Sequence, residues 1–311
     1  MGMSDVETVG RFCPPHYFYG SEELAKASEK CTDEIIVAGG IYGNLEALNT
    51  LRSFNLPSKN VVLGGDFNWF NISPDLFEEV NLKAMEFTTI LGNVEMELVS
   101  PTDNVGCGCA YPESVPEIEV SNSNQIMAAL QSTSEKFTTI LGQLEQCPKY
   151  ARFNIGSLRV LIVHGDTESL SGWSFSRERL HLVKESTQYT DLLNRSNADV
   201  IACSHTCLPA IKLLKHSENT KLIINNGAAG MPNFKGELFG LATRLGTKPS
   251  KQYKSVWSTR IDDVFIDLIK IQYDQSRFMD QFTRTWAPGS AAHTSYFGRL
   301  ISGTQIPLDD L

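Results

Sequence analysis

Residues 37–44 read VAGGIYGN, preceded by the apolar pair Ile35–Ile36 and followed by LEALNTLRSF. An apolar run, a glycine turn and an amphipathic stretch opened by Asn44 predict a strand at 34–39, a tight turn and a helix at about 44–54. The turn falls at the carboxyl end of a strand, where open α/β sheets bind ligands. Yet it offers only Gly39, Gly40, Ile41, Tyr42 and Gly43, with no acid, base or metal ligand beyond a phenol. Outward from this turn the alternation continues, with strands expected at 60–64 and 86–91 and a helix at about 74–82.

Composition bounds the function. The 311 residues are 41% hydrophobic and 20% charged, enough for a large core. Lys and Arg number 27 against 36 Asp and Glu, a net charge of −9. That argues against sequence-independent binding to a nucleic-acid polymer or an acidic membrane surface. An anionic substrate would need a local positive element, a metal ion or placed arginines. Seven cysteines is an odd number, and no charged-then-apolar leader precedes them, so free thiols in a reducing cytoplasm are expected. No apolar run approaches the roughly 20 residues of a membrane helix, and Val6 stands where a myristoylation signal has Ser or Thr.

Residues 1–33 read as an irregular lead with a short helix N-capped by Ser21, and 98–122, containing NVGCGCAYP, as an irregular insertion. FTTILG occurs at 87–92 and again at 137–142. The second copy continues a helical spacing through Ile126, Leu130, Phe137, Ile140 and Leu144, so the same hexapeptide is expected in two structures. Beyond 150, strands are expected at 151–155, 158–164, 199–204, 210–215, 221–225, 238–244 and 261–273, with helices near 174–183, 188–196 and 274–285 and a last one after WAPGS. The pattern predicts an α/β domain of two stacked sheets with helices outside, spanning 34–245, and a C-terminal extension, 246–311, packed on it.

Four polar groups directly follow apolar strands: VVLGGD ends in Asp66, TTILGNVE carries Asn93, RVLIVHGD carries His164 and DVIACSHTC carries His205. Strand ends converge on one rim, and this set suits a borderline divalent cation. Each alone has an ordinary explanation as a cap, a turn residue or a hydrogen-bonded histidine; together they are harder to dismiss. LIINNGAAG adds Asn225 and Asn226 at the same rim.

In order, VAGGIYGN, GGD, GNVE, VHGD, SHTC and INNGAAG resemble the calcineurin-like metallophosphoesterase superfamily, closest to small bacterial phosphodiesterases, over about residues 34–232. The resemblance implies a four-layer α/β/β/α sandwich and two metals about 3.5 Å apart that activate a hydroxide and clamp a phosphate. One metal would bind Asp66, Asn93, His164 and His205, and this set is complete. The other would need Asp at 40, His at 42, the shared Asp66 and His at 207, where this chain has Gly40, Tyr42 and Cys207. A His that many relatives place at 94, thought to help protonate the leaving group, is Val94 here.

Three readings follow. One metal (Mn, Fe or Zn) remains and supports hydrolysis of a small or nucleotide-type phosphate substrate, with Gly40, Tyr42, Asn44 and Asn226 at the substrate. Alternatively, Cys207 with Cys107 and Cys109 rebuilds a sulfur-rich metal site. Or catalysis is lost and the pocket binds a phosphorylated ligand at backbone N–H groups. A dinucleotide-binding turn is a distant rival, because GGIYG lacks the G-x-G-x-x-G spacing and leaves the histidines unexplained. Tyr42 is expected chiefly to fill the vacated metal space, and Glu95 to orient a ligand or cap a helix rather than act as a base. Arg177, Arg179 or Arg244 are candidate phosphate anchors, while His16, His181, His216 and His293 read as structural. A homo-oligomer is left open.

Overall fold

In the second strand, Ile35 and Val37 face one apolar cluster while Ile36 and Ala38 face another, as an extended chain with period two requires. A strand apolar on both faces must be covered on both, and the architecture follows from that demand. The computed structural model describes residues 9–102, 104–182, 187–216 and 219–311; Val6 and the start of the lead lie outside them.

Numbered along the chain, one six-stranded sheet runs β1 (Glu29–Cys31), β5 (Tyr150–Ile155), β6 (Leu158–Val163), β7 (Val200–Cys203), β9 (Asn219–Asn225), β8 (Ala210–His216). The other, also of six strands, runs β11 (Ser255–Ile261), β12 (Val264–Ile271), β10 (Gly240–Gly246), β2 (Glu34–Ala38), β3 (Val61–Leu63), β4 (Thr88–Thr89). Between the sheets Ile35, Val37 and Val62 meet Phe153, Val160, Ile162 and Ile224. On the far side of the second sheet, Ile36 and Ala38 pack under α2 (Leu45–Arg52), α3 (Pro74–Ala84), α5 (Glu117–Ser134), α6 (Thr138–Glu145), α9 (Gln275–Thr285) and α10 (Ala291–Ser302). Leu161, Val163 and Ile201 of the first sheet are covered by α1 (Ser21–Ala25), α7 (Arg177–Leu182) and α8 (Thr187–Arg195). The last helix, α4 (Asn93–Val99), gives Val94 and Leu98 to one outer cluster and Met96 to the other. The result is a four-layer α/β/β/α sandwich.

The two FTTILG copies differ as expected: Thr88–Thr89 is a strand and Thr138–Glu145 a helix. Four expectations change. The 98–122 insertion ends at Pro116, because α5 begins at Glu117 behind a proline with Glu117 and Glu119 in its first turn; its Ser- and Asn-rich sequence hid the helix. The strand expected at 261–273 is β12, and it forms a hairpin with an unexpected β11 before it, turning at Asp262 with φ 50°. β1 is short and exposed, with no apolar alternation to reveal it. The N-cap of α1 is Gly20 rather than Ser21.

The segment beyond 245 is built into the sheet. β12 pairs along β10 from Gly240↔Ile271 to Gly246↔Phe265, so a boundary at 245 would part partners within one ladder. Among the described residues no helix is long and apolar enough to cross a membrane.

Candidate metal centre

The centre is assembled from the residues that follow β3, β4, β6 and β7. Gly64 and Gly65 leave β3 and place Asp66 in the left-handed backbone region, φ 53°. Glu95 holds that turn: its carboxylate accepts N–H bonds from Asp66 (2.7 Å), Phe67 (3.0 Å), Asn68 (3.2 Å) and Gly92 (3.2 Å). Burial, then the neighbouring Asp66 carboxylate, pushes Glu95 up to about 7 against those donors. Its contacts serve both roles expected of it: Glu95 holds the Asp66 turn and, through the Gly92 N–H, caps α4.

His164 and His205 meet over Asp66, and their tautomers follow from geometry. His164 Nδ1 lies 2.7 Å from the Gly64 carbonyl, which can only accept, so Nδ1 carries the proton and Nε2 turns inward. His205 Nε2 lies 3.1 Å from the Cys109 carbonyl, so its Nδ1 turns inward by the same argument. Around His164 Nε2 stand His205 Nδ1 at 3.1 Å, Asn93 Oδ1 at 3.1 Å and Asp66 Oδ2 at 3.3 Å. The ligand atoms of Asp66, His164 and His205 all lie within 4.8 Å of one another, and each residue is buried.

Four acceptors thus converge with no donor except a shared proton, an arrangement that a cation relieves. Burial opposes ionisation of Asp66, but His164 and His205 outweigh it and hold the carboxyl below its usual range. Burial lowers His164, yet Asp66 raises it further, above the ordinary imidazole value. Burial and the His164 charge push His205 down to about 3, leaving it neutral. Two imidazole nitrogens and two oxygens fit a borderline divalent ion such as manganese, iron or zinc.

The Cys-Gly-Cys loop works through its backbone. The Cys107 carbonyl accepts from Asn93 Nδ2 at 2.9 Å, aiming Oδ1 at the cluster, and the Cys109 carbonyl holds His205. Gly108 turns with φ +66°, and a Cβ there would lie 2.4 Å from the Tyr17 hydroxyl. Among the described residues the only such cluster is Asp66–His164–His205. The sulfur-rich site is therefore not assembled, and Cys207, expected as a ligand, is directed elsewhere. Its thiol contacts the Tyr42 hydroxyl, and burial pushes it up to about 11.

The space beside Gly40 is filled. A Cβ on Gly40 would come within 2.3 Å of Tyr42 Cε2, so the Tyr42 ring lies where a residue-40 side chain would extend. Of the four expected substrate residues only Tyr42 lines the adjoining cavity. Asn44 is wholly buried, capping α2 through Ala47 N (3.0 Å) and donating to the Gly230 carbonyl (2.9 Å), which uses both ends of its amide. Asn226 is likewise buried and accepts from Thr243. Arg244 is paired with Glu34 and Asp267, and Arg177 with the Pro209 carbonyl and Asp310.

The cavity, about 240 Å³, is instead lined by Asp66, Asn93 and His205 together with Trp69, Tyr111, Trp173, Tyr296 and Arg299. These last five were not singled out in the sequence. They lie in loops and on α10, outside any strand-end pattern, and only their aromatic and guanidinium character hinted at a site.

The four-layer sandwich is a fold found in a solved metallophosphoesterase structure. The chain is similar to a metallophosphoesterase from Sphaerobacter thermophilus at 16% identity and TM-score 0.53, over 87% of this chain and 99% of that one. It is also similar to a hypothetical protein from Pyrococcus horikoshii OT3 at 14% identity and TM-score 0.57, over 89% of this chain and 100% of that one. No protein-family model matches the chain, and no curated protein matches it.

Proposed function

We propose that the protein is a metal-dependent phosphoester hydrolase with one divalent-ion position, held by Asp66, Asn93, His164 and His205, acting on a small phosphate substrate. The observation that carries this reading is the convergence of acceptors on His164 Nε2, with every outward nitrogen already donated to a carbonyl. A bound cation would supply Lewis acidity, polarising a phosphoryl oxygen and acidifying water. The protein's own part is to hold that position rigidly. Glu95 fixes the Asp66 turn, and the Cys107 and Cys109 carbonyls orient Asn93 and His205. Arg299 is anchored to the Pro232 (2.8 Å) and Cys207 (2.9 Å) carbonyls at the cavity wall, where its charge favours a phosphoryl group. Val94 offers no proton, so the leaving group must take one from water or leave as a stable anion.

A second reading, a phospholigand-binding protein without turnover, is favoured by the Tyr42 ring, which removes one half of a two-metal clamp. Metal analysis beside a panel of phosphomonoesters and phosphodiesters separates the two. About one ion per chain with turnover is expected; an ion without turnover selects the second reading, and no ion under any loading condition overturns the metal site. Asp66→Ala and His164→Ala should each lose the ion, whereas Cys107→Ser and Cys109→Ser should keep it, because carbonyls orient Asn93 and His205 and the Cys109 thiol only accepts from Asn93 Nδ2 at 3.4 Å, as a serine hydroxyl also can.

A further inference from the structure

Resting on the phosphoesterase reading above, we propose that the cavity selects phosphoesters whose ester group carries a flat aromatic ring, such as a nucleobase, with Tyr111 and Trp173 as specificity-determining residues. Beyond the acceptor cluster and Arg299, the wall is dominated by Trp69, Tyr111, Trp173 and Tyr296, brought from three loops and α10. Rings that merely fill a core turn their faces to other side chains. Trp173 and Tyr111 line an open cavity instead, and their polar atoms are tied down. Trp173 Nε1 donates to the Cys109 carbonyl at 2.9 Å, and its ring abuts Tyr111 at 5.8 Å and His205 at 5.5 Å. The Tyr111 hydroxyl pairs with Ser123 Oγ at 2.9 Å. Both rings are thus fixed before a ligand arrives, which lowers the entropic cost of stacking on them.

The 240 Å³ of space holds a ring and a phosphoryl group and does not enclose a polymer.

Two diesters free of any other aromatic ring test this: thymidine 5′-(methyl phosphate) and ribose 5-(methyl phosphate), their hydrolysis followed by chromatography with the full chain loaded with Mn²⁺. The nucleoside ester should show kcat/KM about ten-fold higher or more, mainly through KM, since stacking one base on a ring is worth that much. Trp173→Ala and, independently, Tyr111→Leu should collapse the ratio towards one, with Tyr111→Phe retaining it. Fluorescence titration of the unaltered protein with thymidine 5′-monophosphate and ribose 5-phosphate supplies a readout that needs no turnover. Equal kcat/KM for the two diesters, or a ratio unmoved in both truncated variants, overturns ring selection and leaves hydrolysis standing. No turnover with at least about ten-fold tighter binding of the nucleotide overturns hydrolysis and keeps ring selection; no preference in either readout overturns ring selection.

Discussion

Gly40 and Tyr42 exclude any other pairing of their kind. The Tyr42 ring needs a residue without a Cβ at 40, and an Asp there needs that ring gone. Gly40→Asp alone should therefore destabilise the fold by about 2 kcal/mol or more, the usual range for overpacking, seen as a lowered denaturant midpoint. With Tyr42→His and Cys207→His added, the chain should take up a second ion, measured as metal per chain. The cluster also has a pH signature. Asp66 raises His164 above its unfolded value, so that proton stabilises the fold at low pH, and its contribution is lost as pH rises through the folded value. A metal must displace the same proton, so the effect of the ion runs the other way. The rise in melting temperature on adding Mn²⁺ should grow from about pH 5 to about pH 8; a shift that shrinks over that range would sink the assignment of His164 as a ligand.

At the scale of elements, Asn44 shows how a residue placed beside a site can serve a helix instead. It begins α2 and ties that helix to the Gly230 turn with the other end of its amide. Asn44→Ala should cost about 1–2 kcal/mol, as cap removals do, with metal content unchanged in the folded variant; loss of the ion at full stability would return Asn44 to the site. The Cys-Gly-Cys loop is a similar case. Its cysteines suggested sulfur ligation by residue type alone, yet its work is done by two carbonyls whose direction depends on a left-handed glycine.

For the whole molecule, the C-terminal segment decides integrity. β12 lies between β11 and β10, and α9 and α10 close the outer core through Phe278, Phe282 and Leu300. Ending the chain at residue 245 would strip β10 of a partner along its full length and expose that core. Such a protein should fail to unfold cooperatively by circular dichroism. A sharp transition at unchanged temperature would make the segment an appendage after all. The same segment brings Tyr296 and Arg299 to the cavity, so the site shares its fate.

The sandwich and the acceptor cluster were legible in the chain because both rest on local rules. Apolar alternation in Ile35–Ala38 demands cover on two faces, and polar residues directly after strands must emerge on one rim. β1 and the start of α5 were not legible, since an exposed short strand and a Ser- and Asn-rich helix carry no hydrophobic period. Which arginine reaches the cavity, which carbonyls set the histidine tautomers, and whether a glycine gap is open or filled by a ring were decided only by tertiary structure. These depend on contacts between residues a hundred or more positions apart, such as Tyr42 with Cys207 and His164 with Gly64. Residue types and their order therefore determined the scaffold and the ligand candidates. The shape of the cavity came from how loops and α10 pack across the rim.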